Sequence, residues 1–235
     1  MNETAPIVHD DPIAGRIHAD LEKDGRLRNA FRCPRELAIF TAHNYQKQSL
    51  LERNLEFLGI STLHVINRPV KVWSNSLRVR WFIEYLEKDC RSPYVLYCDA
   101  NDVIFRGSPQ LVLDLFKEAN CDVWFCSTNW PHGYECVPEI RDWAEQLHPG
   151  RYLNGGVFMG RPEAALEIYR RVLEYVTDED ARVNVDSLAF YQNERQYANG
   201  FPRGTGCDQA ILRYLEPQFY PRLKIDVESR MVWRN

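Results

Sequence analysis

Two carboxylates stand three residues apart where an apolar run ends. In VLYCDANDVIFRGSP, residues 95–109, four strand-like residues lead into Asp99 and Asp102 before apolar character resumes at Val103, Ile104 and Phe105. A strand that only filled a core would not end in two acids. Held that close, the pair repels itself unless a cation or a proton lies between. Hard oxygen donors suit Mg²⁺ or Mn²⁺, ions that keep open positions for phosphate oxygens. Such an ion stabilises the charge that builds on a departing diphosphate. The plainer alternative is that both side chains cap a turn through local N–H groups. D-x-x-D alone does not separate the two.

Further residues bear on that choice. YLNGGVFMG (152–160) places Gly155 and Gly156 inside an apolar strand, where glycine costs stability but lets a ligand approach the backbone. The Asn154 side chain is then available to a sugar hydroxyl; the alternative is a bulge or tight packing. In TGCDQAIL, Asp208 opens a helix, either as a cap or as a site residue. Arg78 can meet a phosphate or simply solvate its helix. The stretch 128–151, with Trp130, Trp143, His132 and His148, offers aromatic faces to an acceptor sugar, although Trp130 is equally compatible with the core.

The elements that must position these residues alternate in type. ELAIFTA (36–42), ISTLHVI (60–66), PYVLYCD (93–99), CDVWFCS (121–127), YLNGGVFMG and a segment near 223–227 read as strands. Helices are predicted to about Leu58, closed by Gly59, over 74–89, over 108–119 with Ser108 as cap and Pro109 first, over 161–176 and over 207–216. The 128–151 stretch reads as an irregular loop with a short helix. Residues 1–35 read as an N-terminal extension or short helix, and 36–235 as one domain. Alternation of this kind predicts an α/β fold with a mostly parallel central sheet flanked by helices. Ligands of such sheets bind beyond the carboxyl ends of the strands, where Asp99 and Asp102 fall.

The chain's 235 residues, 45% hydrophobic and 26% charged, suffice for a proper core. A net charge of -4 gives no general attraction to nucleic acid or anionic lipid. No stretch approaches the roughly 20 apolar residues of a membrane span, and MNETAPIVHDDPIAG lacks the marks of a signal peptide. The expectation is a cytoplasmic protein with no transmembrane segment. Seven dispersed cysteines without a C-x-x-C read as free thiols in a reducing compartment.

Taken in order, CDANDVIFRGSPQLVLDLF, FCSTNWP, RYLNGGVFMG and CDQAILRYL resemble the glycosyltransferase domain of the procollagen lysyl hydroxylase/glucosyltransferase enzymes and their collagen galactosyltransferase relatives. The resemblance spans about residues 36–235. It implies the GT-A fold, a Rossmann-like domain using UDP-sugars and Mn²⁺ (or Mg²⁺). Carried over position by position, it implies metal acids at Asp99 and Asp102. A nucleotide set follows: Thr41, Ala42, His43, Arg78, Asp99 and Asn101. A sugar set comprises Trp130, Asn154, Gly155, Gly156, Asp208 and Gln209. Asp208 and Arg78 carry the catalytic expectation, Arg78 by adding positive charge as the anomeric bond breaks.

Three departures stand out. The family's aromatic residue between the metal acids is Asn101 here, and Cys207 replaces the first acid of its D-D-Q motif. Its third metal ligand, a His in an H-G-N-G segment, would lie beyond the part matching IDVESRMVWRN. The expectation is therefore completion by Asp208, water or the diphosphate, or by a further C-terminal segment. Nothing resembles the hydroxylase part of those enzymes, and the six histidines offer no 2-His-1-carboxylate spacing.

The expected function is hexosyl transfer, of glucose or galactose, from a UDP-sugar to a glycan, lipid-linked sugar or protein hydroxyl. The alternative is a non-catalytic sugar-nucleotide or glycan-binding module of the same descent. A nucleotidyltransferase would open with a glycine-rich loop, which TAHNYQKQS lacks. A haloacid-type phosphatase would need a second Asp at position 101.

Overall fold

A computed structural model of the chain describes residues 4–10, 13–70, 75–131, 138–175 and 208–234. Along it run β1 (Ile7–His9), α1 (Ile13–Asp24), β2 (Leu37–His43), α2 (Leu50–Leu58), β3 (Leu63–Asn67), α3 (Asn75–Lys88), β4 (Tyr94–Cys98) and β5 (Val103–Phe105). There follow α4 (Pro109–Ala119), β6 (Val123–Thr128), α5 (Pro138–Leu147), β7 (Tyr152–Gly160), α6 (Pro162–Leu173), α7 (Asp208–Phe219), β8 (Leu223–Ile225) and β9 (Val232–Trp233).

Six strands form the main sheet in the order β3-β2-β4-β7-β6-β8. The β2–β3, β2–β4 and β6–β8 pairs are parallel, while β7 runs antiparallel to both β4 and β6. The expected α/β architecture, with its mostly parallel sheet flanked by helices, is what the chain adopts.

Successive side chains of a strand point to opposite faces, and here both faces are buried. Phe40, Val95, Tyr97, Phe125 and Phe158 face α3, α6 and α7, whose Phe82, Tyr169 and Ile211 complete that core. Ile39, Leu96, Cys98, Trp124, Val157 and Met159 face the other way, onto Leu51, Leu55, Val112 and Phe116 of α2 and α4. Two-sided burial is why these strands read as continuous apolar runs rather than as alternation.

Caps fix the helix that leads away from the site. Ser49 accepts from the Glu52 N–H and Glu52 accepts in return from the Ser49 N–H, a reciprocal capping box. Gly59 then closes α2 in the left-handed conformation. The predicted Ser108 cap and Pro109 start of α4 are also present.

Two sequence readings need correction. Ile7–His9, inside the stretch read as an extension or short helix, is a fully buried strand between β5 and β9. Three residues carry no measurable periodicity, and only the apolar Ile7 and Val8 hint at a strand. The strand 152–160 also runs on through its glycines, but its pairing with β6 jumps there: Phe125 lies opposite Phe158 and Cys126 opposite Asn154, so Gly155, Gly156 and Val157 bulge on that side.

The five cysteines among the described residues form no disulfide. His132, Cys136, Val176, the 177–206 connection and Cys207 lie outside the described residues. Among the described residues no helix is long and apolar enough to cross a membrane.

Candidate metal centre and adjoining cavity

Asp99 follows the last residue of β4, and Asp102 precedes the first residue of β5. The turn between them is only as long as the motif, so both carboxylates emerge at the carboxyl end of the sheet. β5 then pairs antiparallel with β1, with His9 opposite Val103. That register sets His9 beside Asp102: its Nε2 lies 3.1 Å from Asp102 Oδ2. His9, Asp99 and Asp102 each offer a ligand atom, and these atoms lie within 4.8 Å of one another.

The room for this cluster comes from Gly156. A Cβ there would fall inside the contact radius of His9 Cε1 and lie 2.7 Å from Asp99 Oδ2. Gly155 is different, since a Cβ would meet nothing closer than Leu212 Cδ1 at 3.5 Å. The Gly156 carbonyl also accepts from the Asp99 N–H at 2.7 Å, locking β7 to the first acid. An imidazole and two carboxylates around a cradle that any side chain would fill are a donor set suited to a divalent ion such as Mn²⁺.

A second network holds Asp99 from behind. Arg78, on α3, donates through Nη1 to Asp99 Oδ1 at 2.9 Å and through Nη2 to Asp208 Oδ2 at 2.6 Å. Tyr97, buried among the aromatic rings of the core, donates its hydroxyl to the same Asp99 Oδ1 at 2.5 Å. Oδ1 is thus committed to the protein, which leaves Oδ2 facing His9 and Gly156. Arg78 neither lies idle nor solvates its helix; it is a largely buried bridge between two acids at the cavity wall.

The two acids titrate apart. Burial and repulsion from Asp102 raise the pKa of Asp99 against the pull of Arg78. Burial also works against a charge on Asp102, but His9 outweighs it and holds that carboxyl below its usual range. Burial disfavours the imidazolium of His9, yet Asp102 prevails and pushes its pKa up to about 9, with Arg234 opposing.

A cavity of about 490 Å³ opens beside the acids, lined by Ala42, His43, Tyr45, Arg78, Asn101 and Asp102 among others. This size suits a small-molecule ligand. His43 is held by Glu52, 3.1 Å from its Nε2, and by the Tyr45 N–H, which donates to Nδ1. Tyr45, 42% exposed, stacks on the His43 ring with centroids 4.9 Å apart and planes 15° off parallel. A larger cleft of about 690 Å³ adjoins α2 and β3 but contains neither acid of the pair nor His9.

The structure brings most of the expected site residues together, in differing roles. Ala42, His43, Arg78, Asp99, Asn101 and Asp102 share the cavity wall. Thr41 lies behind it, fully buried, donating to the Cys98 carbonyl at 2.7 Å. Asn154, Gly155 and Gln209 bond to one another: Gln209 Oε1 accepts from Asn154 Nδ2 at 2.9 Å and from the Gly155 N–H at 3.2 Å. Asn154 Oδ1 in turn accepts from the Gly156 N–H. Asp208 is 2% exposed and spent on Arg78 rather than on the metal cluster. Trp130 is 64% exposed and is no core residue, while its backbone carbonyl accepts from buried Arg213 of α7.

Sequence reasoning missed His9, Tyr97 and Tyr45. Only Ile7 and Val8 preceding His9 hinted at a strand. Tyr97 read as core, which its ring is. Tyr45 sits in a polar loop with no pattern.

No family model matches the chain, and no curated protein matches it. Among solved structures it is similar to the crystal structure of mouse xyloside xylosyltransferase 1 in its apo form. That likeness has 14% sequence identity and a TM-score of 0.44, and covers 92% of this chain and 82% of the other.

Proposed function

We propose that the chain is a metal-dependent glycosyltransferase that moves a hexose, glucose or galactose, from a UDP-sugar to an acceptor hydroxyl. One observation carries the reading: two carboxylates in the wall of a ligand-sized cavity converge with a buried imidazole, in a cradle that only glycine leaves open. The ordered motifs of residues 95–216 resemble those of UDP-sugar transferases and agree with it.

In this reading His9, Asp99 and Asp102 hold a Mn²⁺ or Mg²⁺ ion, which when bound neutralises charge on the diphosphate. The bond between the anomeric carbon and the diphosphate oxygen breaks, and UDP leaves with its electron pair. The acceptor oxygen bonds to the anomeric carbon and gives up its proton to solvent water. Ala42, His43, Tyr45 and Asn101 line the pocket for the nucleoside. The Tyr45 ring offers a stacking face that Asn101 cannot. The Asn154–Gly156 backbone and Gln209 border the sugar. Arg78 and Asp208 act as positioning residues: they fix Asp99 Oδ1 so that Oδ2 points at the cluster.

The test is release of UDP from UDP-glucose or UDP-galactose in the presence of Mn²⁺. Wild-type protein releases UDP, and Asp102→Ala does not. An unchanged rate in that variant removes the metal assignment.

A second reading has its own support. Asp208, the acid expected near the donor sugar, is buried in an ion pair with Arg78 at 2.6 Å. A sugar-nucleotide or glycan-binding module without catalysis fits that arrangement. Calorimetry separates the two: tight UDP binding with no turnover, for any acceptor or for water, selects the binding module.

A further inference from the structure

β9 pairs parallel with β1, with Ile7 beside Val232 and Val8 beside Trp233. Continued by one residue, that register places Arg234 beside His9. The geometry agrees, since Arg234 Nη1 lies 2.9 Å from His9 Nδ1 and 2.7 Å from its Nε2. What brings β9 there is Asp226. Its buried carboxylate accepts from the N–H groups of Arg230, Met231 and Val232 at 2.8, 2.8 and 3.0 Å, turning the chain back toward β1.

Arg234 therefore rests on the imidazole that the metal reading assigns to the ion. The two cannot share it comfortably in either protonation state. With the ring neutral, a guanidinium nitrogen within 2.9 Å of both ring nitrogens crowds whichever one the ion would use. With the ring protonated, the ion replaces one proton by a double positive charge next to the guanidinium. An ion held by His9 would therefore require Arg234 to move off the ring. Nearby, Asp99 Oδ1 is already committed to Arg78 and Tyr97, and Asp102 is wanted by the ion.

We infer that Arg234 is a binding residue for the diphosphate of the donor, and that it exchanges His9 for this anion when metal and nucleotide bind. The inference rests on the reading of the cluster as a metal-bound donor site. Its consequence is reciprocal coupling: the diphosphate takes up the guanidinium that competes with the ion, so each strengthens the binding of the other. A guanidinium matches phosphate oxygens in charge and in its planar fork of donors.

The experiment is calorimetric titration of the full chain with Mn²⁺ alone, with UDP alone, and with UDP at saturating Mn²⁺. The proteins are wild type, Arg234→Met and Arg234→Lys. Arg234→Met is expected to bind Mn²⁺ alone at least as tightly as wild type and to bind UDP with Mn²⁺ roughly tenfold or more weakly. Arg234→Lys should recover part of that loss, because it keeps the charge but not the fork. Thermal melts establish that each variant is folded. If wild type binds both Mn²⁺ and UDP and Arg234→Met binds UDP with Mn²⁺ equally well, the inference about Arg234 is overturned while the metal reading stands. If wild type binds neither, the donor-site reading fails and takes the inference with it.

Discussion

Gly156 and His9 are packed so closely that a Cβ on the glycine would overlap the imidazole Cε1. The contact joins the central sheet to the N-terminal strand and shapes the metal cradle. Gly156→Ala should therefore displace His9 or Asp99 and weaken Mn²⁺ binding at least tenfold. Overpacking of this kind typically costs about 1–3 kcal/mol of stability. Gly155→Ala, whose new methyl meets Leu212 at an ordinary distance, should change neither property much. Mn²⁺ calorimetry and urea unfolding of the two variants check this, and wild-type ion affinity in Gly156→Ala would contradict the cradle.

The His9–Asp102 contact makes ion binding dependent on pH. The imidazole, with its pKa raised to about 9, holds a proton through neutral pH that the ion must displace. Affinity for Mn²⁺ should rise with pH, by about one log unit per pH unit between roughly pH 6.5 and 8.5, with one proton released per ion. In the ion-free protein the sign reverses for stability. The folded state holds this proton more tightly than the unfolded chain, so the contribution is fully present below the ordinary histidine value of about 6.5. It is lost as the pH climbs through about 9. His9→Asn should flatten both profiles, and a steep profile in that variant would assign the proton elsewhere.

Tyr45 presents a half-exposed ring to the cavity, held by its stack on His43 and by its carbonyl, which accepts from Asn67 Nδ2 at 2.9 Å. Base stacking on an aromatic side chain is worth about 1–3 kcal/mol by alanine substitution. Tyr45→Ala should weaken UDP binding about tenfold while leaving Mn²⁺ affinity unchanged. Tyr45→Phe should bind UDP nearly as well as wild type. Equal UDP affinity in Tyr45→Ala would place the base elsewhere.

Arg78 is a structural risk as well as a positioning residue. Its removal strands Asp99 and the almost wholly buried Asp208 without a counter-charge. Breaking a buried pair by deleting one partner costs about 3–5 kcal/mol. Arg78→Met should lose most of that range in urea unfolding, and Asp208→Asn introduced alongside it should return part of the loss. If the double variant is no more stable than the single one, the two side chains are not coupled as their 2.6 Å contact indicates.

Much of this protein was legible in its sequence. Strands buried on both faces must be apolar throughout, so β2, β4, β6 and β7 announce themselves. Helix ends are marked locally, as at Ser108, Pro109 and Gly59. The acid pair stood out because Asp99 and Asp102 interrupt such a strand at its carboxyl end, and their spacing is a property of the chain alone.

Only the tertiary structure decided what surrounds them. His9 is 93 residues from Asp102 and Arg234 is 225 from His9; β1 and β9, two to three residues long, bring them together. Strands that short have no period to read and form only because a neighbouring strand supplies their hydrogen bonds. The same holds for Arg78, which on its helix looks like a solvated charge and becomes a largely buried bridge once α3 and α7 pack against the sheet. Local patterning records which face of an element is apolar, whereas a site assembled across the sheet depends on register, which is set by pairing between distant segments.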